Sequence, residues 1–223
     1  MKPLALNKRK RIPSRKQRNL ITHSNPESII SEQFRTIRTN LHFIYGDKNS
    51  STLLITSPGK WEGKSTTAAN MAVSMAQQKE KILLVDANLR NPSIHNIFKT
   101  SNMIGLTDVL EGNVSFEEAI YPSRIGKLDI LTSGDTPYNP AELLASDAME
   151  QFFQKVGSLY DIVLIDSASV LEVSDTKIIA NLCDGVVLVV RQDKTNIENA
   201  FESKKVLEYA KAQIVGVILN EKS

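Results

Sequence analysis

One joint constrains the fold more than any other stretch. Leu53-Leu54-Ile55-Thr56 runs into Ser57-Pro58-Gly59-Lys60-Trp61-Glu62-Gly63, and Lys64-Ser65-Thr66-Thr67 opens a segment rich in Ala and Met that reaches Gln78. A short apolar, β-prone run is followed by a turn of Gly and Pro and then by good helix formers. Strand, loop, helix, with Gly-Lys-Ser at the junction, is the context in which a phosphate loop works. Backbone N–H groups of such a loop converge on an anion, and the free N–H groups of the helix start add their dipole. Gly59, Lys60, Trp61, Glu62, Gly63, Lys64, Ser65 and Thr66 form the candidate cradle. Lys64 supplies a point charge for the β- and γ-phosphates, and Ser65 a hydroxyl for Mg²⁺. Pro58 departs from the usual pattern, which has Gly five residues before Gly63; proline fixes φ and removes one N–H.

Two further runs end in an acid. Ile82-Leu83-Leu84-Val85 leads into Asp86, and Ile162-Val163-Leu164-Ile165 into Asp166. Strands apolar on both faces belong in the middle of a parallel sheet, and such sheets bind ligands at the carboxyl edge. Both carboxylates are therefore expected in the crevice of the phosphate loop. Taken singly, such an acid also reads as a turn residue or a helix cap. Shorter strands are expected at 128–131, 185–190 and 214–219. Helices are expected at 106–110, 115–119, 141–145, 149–156 and 196–212. This alternation predicts an α/β chain: a doubly wound, mostly parallel sheet with helices on both faces.

The charge is unevenly spread. Residues 1–20 hold eight Lys and Arg and no acid, while the whole chain has a formal net charge of only +2. Residues 1–24 read as a flexible basic arm and residues 25–223 as one domain. The arm is either a solvated tail or a contact for anionic headgroups or an acidic partner segment. No aromatic residue is interleaved to stack on bases, so nucleic acid is not expected. No apolar run is long enough to span a bilayer, and no signal peptide opens the chain. The single cysteine, Cys183, suits a reducing compartment and reads as a small buried residue at a strand start. His23, His42 and His95 are scattered and make no metal-ligand pattern.

Ahead of the phosphate loop, Ser24 and Glu27 have capping-box spacing, and Asn25-Pro26 is an equally good helix start. Ile30, Phe34, Ile37 and Leu41 then recur at helical spacing and define a buried stripe. Glu32, Arg35 and Arg38 lie off that stripe and read, by themselves, as a solvated face with weak pairs along the helix.

Together these segments resemble the bacterial tyrosine kinases that control capsule and exopolysaccharide synthesis, relatives of the MinD/ParA-type P-loop ATPases. The family's modified phosphate loop appears at residues 57–66. Its Asp-x-Asp-x-Arg motif appears as Asp86-Ala87-Asn88-Leu89-Arg90, and its third acidic motif as Asp166-Ser167-Ala168-Ser169. Glu32, Arg35 and Arg38 match a helix motif that packs family members into a ring, and residues 34–40 and 139–144 are also similar. The resemblance implies a protein-tyrosine kinase using ATP and Mg²⁺. Ser65, Asp86 and Asp166 would serve the metal, and the two acids also the incoming tyrosine hydroxyl. Arg90 and Asn88 complete the second motif, and Arg191 and Asn220 would lie near base or ribose. It further implies a cytoplasmic chain at the inner face of the plasma membrane, activated by the cytoplasmic tail of a transmembrane adaptor.

Departures define the alternatives. Asn88 replaces the motif's second acid and cannot take a proton, and Ser169 replaces a proline. Lys60 lies one position past the extra lysine of MinD-type ATPases, and the family's C-terminal tyrosine cluster is missing. A catalytically weakened nucleotide-binding scaffold of the export machinery and a MinD/ParA-type ATPase are the rival readings.

Overall fold

In the computed structural model, which describes residues 20–46, 48 and 50–221, seven strands form one sheet. The strands are β1 (Ser51–Thr56), β2 (Ile82–Asp86), β3 (Tyr121–Pro122), β4 (Leu128–Leu131), β5 (Ile162–Asp166), β6 (Gly185–Arg191) and β7 (Ile214–Asn220). Their order is β3-β4-β2-β5-β1-β6-β7, and every pairing is parallel except the short β3–β4 edge. The expected strands are all present, and β3 is added.

Ten helices are described: α1 (Ile21–Ser24), α2 (Ile29–Tyr45), α3 (Lys64–Ala76), α4 (Ile94–Phe98), α5 (Leu106–Leu110), α6 (Phe116–Ala119), α7 (Pro140–Leu144), α8 (Asp147–Leu159), α9 (Asp175–Leu182) and α10 (Ile197–Tyr209). Side chains alternate across a strand, so the central strands feed two cores. Leu54, Leu83, Val85, Val163 and Ile165 point to the layer containing α5 to α10. Leu53, Ile55, Ile82, Leu84 and Leu164 point to the layer containing α2, α3 and α4. Both faces of the sheet are thus covered, as a doubly wound sheet requires.

The start of the chain differs from expectation. Ser24 ends a helix instead of beginning one, and Ser28 caps α2 by accepting the Ser31 N–H. The reason lies in α3. Thr22 is buried and bonded through its N–H and hydroxyl to Asn70 Oδ1 at 3.1 and 3.0 Å, while Gln77 donates to the Thr22 carbonyl. Docking α1 on α3 uses residues 21–24 as a separate turn and puts the last part of the expected arm on the folded body. Residues 1–19 lie outside the described residues. The α2 stripe shifts accordingly: Leu41 and Tyr45 are buried, whereas Ile30 is 41% exposed.

Arg38 also departs from the solvated face. It donates to the Ser74 carbonyl of α3, and burial lowers its pKa. Cys183 sits in the bend between α9 and β6, half-buried, and not in a strand.

Candidate active site

The phosphate loop leaves β1 at Ser57 and enters α3 through Gly63, whose φ is +96°. A Cβ there would come within 2.2 Å of Asn220 Nδ2, so this position needs glycine for backbone shape and for space. Thr67 donates to the Gly63 carbonyl as the first intrahelical bond. Helix geometry leaves the preceding N–H groups of the α3 start without partners of their own, which suits an anion. Lys64 and Ser65 stand at this start.

Glu62 shapes the loop from within. It is buried, its carboxylate accepts the Gly59 N–H at 2.9 Å, and Thr195 donates its hydroxyl to the other oxygen. Asn220 Nδ2 holds the Glu62 carbonyl at 2.8 Å, and Arg191 Nη1 the Trp61 carbonyl at 2.8 Å. Lys194 adds a contact to the Lys60 carbonyl. The carboxyl ends of β6 and β7 therefore clamp the loop from outside. This explains how Pro58 is accommodated: the loop is tied through Glu62, and Pro58 contributes its carbonyl, which accepts from Leu171.

The two acids end neighbouring strands. In the β2–β5 register Asp86 lies opposite Asp166, and both are fully buried. Asp86 accepts N–H groups from Asn88 at 3.2 Å, Ser93 at 2.8 Å and Ile94 at 2.9 Å. Burial raises its pKa, while these N–H groups and nearby Lys64 pull the other way. Asn88 donates Nδ2 to the Asn91 carbonyl at 3.0 Å, so its amide is anchored in the β2–α4 turn.

Arg90 is held by a group that no local signal identified. Its Nε and Nη2 reach the two oxygens of Asp175, at 2.8 and 3.1 Å, and Asp175 is almost fully buried at the start of α9. The hydrogen bonds raise the Arg90 pKa and fix the guanidinium in a bidentate fork. An acid in the first turn of α9 was the available cue, but nothing within the eight residues of α9 ties that acid to Arg90, 85 residues earlier. Thr56 and Thr176 both donate to the Ala168 carbonyl, at 2.8 and 2.7 Å, and pin the third motif against the phosphate loop.

Lys60, Trp61, Lys64, Ser65, Asn88 and Arg90 line one cleft of about 670 Å³, within the usual range for small-molecule sites. Lys60 pairs with Glu172 on its rim at 3.2 Å. Arg191 and Asn220 reach the loop from outside through its carbonyls. Glu32, Arg35 and Arg38 are elsewhere, on α2; Arg35 pairs with Glu32, and Arg38 reaches the carboxyl-terminal part of α3.

The residues fit a Mg²⁺–nucleotide. The helix start and Lys64 suit phosphates, and Ser65, Asp86 and Asp166 are hard oxygen donors. Among the described residues no three His, Cys, Asp or Glu cluster as a cage. Mg²⁺ at phosphate sites is ordinarily held by one or two carboxylates with substrate oxygens and water, so two acids and a hydroxyl suffice.

A family model described as an AAA domain matches residues 61–211. The chain is 46% identical to tyrosine-protein kinase YwqD of Bacillus subtilis over 96% of its length and 90% of that protein's. Its structure is similar to the kinase domain of Escherichia coli tyrosine kinase ETK, with a TM-score of 0.87 and 33% identity over 91% of this chain and 79% of that one. It is also similar to the septum site-determining protein MinD of Pyrococcus horikoshii, with a TM-score of 0.65 and 25% identity over 77% of this chain and 70% of that one.

Proposed function

This chain belongs to the bacterial tyrosine-protein kinases of capsule and exopolysaccharide systems, and from that premise we propose that it transfers the γ-phosphoryl group of ATP to protein tyrosines. The observation that carries the reading is the Asp86–Asp166 register pair beside the Lys64-Ser65 helix start. The N–H groups of the α3 start bind phosphate oxygens, and Lys64 draws charge toward the leaving side. Mg²⁺, when bound, neutralises phosphate charge, and Ser65, Asp86 and Asp166 are the residues that would hold it. The tyrosine hydroxyl gives up its proton to one of the paired carboxylates, since the Asn88 carboxamide cannot accept it. Arg90, fixed by Asp175, presents a cation at the cleft. Arg191 and Asn220 keep the loop in its binding shape beside the base or ribose.

The proposal extends to assembly and place. Glu32, Arg35 and Arg38 form a ring contact, and the cytoplasmic tail of a transmembrane adaptor activates the enzyme at the membrane. The basic arm touches anionic lipid. The chain acts in the cytoplasm and controls polysaccharide synthesis. Among the described residues no helix is long and apolar enough to cross a membrane.

Transfer of labelled γ-phosphate to a supplied tyrosine-containing protein tests the chemistry, with wild type beside Lys64→Ala and Asn88→Asp. Label on tyrosine that disappears in Lys64→Ala is expected. Tight ATP binding without transfer, restored by Asn88→Asp, favours the second reading, a nucleotide-gated scaffold. The anchored Asn88 amide is the observation on that side. Light scattering of Arg35→Ala with Arg38→Ala tests the ring: a smaller assembly that still binds nucleotide is expected, and an unchanged mass removes the contact.

A further inference from the structure

We propose that Tyr138 is a phosphorylation site of this chain, presented by one copy to the cleft of another. The inference rests on the kinase reading above and adds the acceptor to it.

The chain has five tyrosines, all within the described residues. Tyr45 and Tyr160 are buried, at 8% and 3% exposure, and bonded to the Asp184 carbonyl and to Asp129. Tyr121 is paired in the short edge strand β3. Tyr209 is exposed, but it ends α10. That helix leaves the carboxyl edge after β6 and returns to the start of β7, so its last turn lies at the opposite edge from Asp86 and Asp166. A phenol in a helical turn must also unwind its backbone to enter a cleft. Tyr138 is 98% exposed and lies in neither helix nor strand.

Its loop leaves the carboxyl end of β4, which is parallel to β2, so it stands on the same sheet edge as the two acids. The loop is fastened on both sides of the tyrosine. Thr136 donates its hydroxyl to the Leu89 carbonyl, between Asn88 and Arg90, at 3.0 Å. Beyond it, Asn139 begins α7 with buried Pro140 at the first helical position. Pro137 fixes its own φ just before Tyr138, and Pro140 restricts Asn139 just after it, so the loop has little freedom on either side of the ring. With both ends tied and the ring open to solvent, the geometry favours delivery to a second copy over folding back into its own cleft.

Charge agrees with that docking. The segment 134–142 carries Asp135 and Glu142 and no base. The cleft it would enter is lined by Lys60, Lys64, Arg90 and Lys99, with Glu172 as the acid of that lining. In the transfer, Tyr138 Oη bonds to the γ-phosphorus of ATP as the bond to the ADP oxygen breaks. ADP leaves, and the phenol proton passes to one of the paired carboxylates of the donor copy.

The test uses full-length chains. Wild type, Mg²⁺ and ATP are incubated with a tagged Lys64→Ala acceptor chain, with or without Tyr138→Phe, and with a Glu/Tyr copolymer as an independent acceptor. Tandem mass spectrometry locates the phosphate. The expected result is phosphate at Tyr138 of the Lys64→Ala chain and at least a tenfold loss in the double variant, with copolymer labelling by wild type intact. Copolymer labelled while Tyr138 stays bare, or equal label in the double variant, overturns the inference and leaves the kinase reading standing. No label on any acceptor overturns both. Because the side chain packs on nothing, Tyr138→Phe should unfold at the wild-type temperature, which separates loss of the acceptor from loss of fold.

Discussion

The carboxyl edge of the sheet and its outer flank at β7 and α10 handle polarity in opposite ways. At the edge, Asp86, Asp166, Glu62, Asn88 and Asp175 are buried polar side chains. Asp86, Glu62, Asn88 and Asp175 are hydrogen-bonded to backbone N–H, carbonyl or guanidinium partners, and those bonds fix where each group stands. At the flank, Ile197, Phe201, Val217 and Leu219 are apolar side chains between 58% and 66% exposed. Burying a polar group costs free energy that only well-placed partners offset. Leaving an apolar group in water merely forgoes its burial. The edge is therefore specified residue by residue, and the flank is permissive. The difference teaches where substitution should disturb chemistry, where it should disturb stability, and where it should do neither.

The comparison is most exposed to failure at Lys64. Lys64→Ala should lower phosphotransfer by about 10²–10³-fold, the usual effect of removing one preorganised stabilising group, with little change in thermal unfolding. A collapse of stability instead would mean that the edge is held together by the lysine and not by its hydrogen-bond network. Beneath the edge, Leu164→Ala, at a fully buried position in β5, should cost about 2–5 kcal/mol in urea unfolding.

Asp175→Ala sharpens the role of the buried network. Loss of the fork to Arg90 should cost about 1–3 kcal/mol, with reduced transfer as the guanidinium loses its fixed orientation. Unchanged stability and rate would show that Arg90 needs no anchor. On the flank, Val217→Thr should change stability by less than about 0.5 kcal/mol; a larger loss would reveal that the flank is covered in solution.

The smallest effect concerns His95 on α4, whose pKa is lowered by burial. A base depressed in the folded chain is protonated more readily when unfolded. Stability is then full above the ordinary histidine range and is lost as pH falls through it. His95→Gln should flatten that limb of the melting temperature against pH, and parallel curves for the two proteins would discard the assignment.

Much of the edge was legible because its signals are local. The apolar runs before Asp86 and Asp166 and the Gly63-Lys64-Ser65 joint are patterns a few residues long. α4 spans only five residues and α9 only eight, too short for their patterns to stand out between the neighbouring loops. The start of α2 was misplaced because Ser24 and Ser28 are both good caps. The contact of Thr22 with Asn70, 48 residues away, decides between them.

The sequence by itself determined the α/β alternation, the phosphate loop and the acids that end its strands, because backbone propensity, turn chemistry and two-sided burial are written in neighbouring residues. Only the tertiary structure decided the strand order that sets Asp86 opposite Asp166. It also decided the reach of Asp175 to Arg90 across 85 residues and the closing of Thr195 and Asn220 on Glu62 across 133 and 158. A buried polar group takes whichever partner packing brings to it, and distance along the chain does not enter that choice.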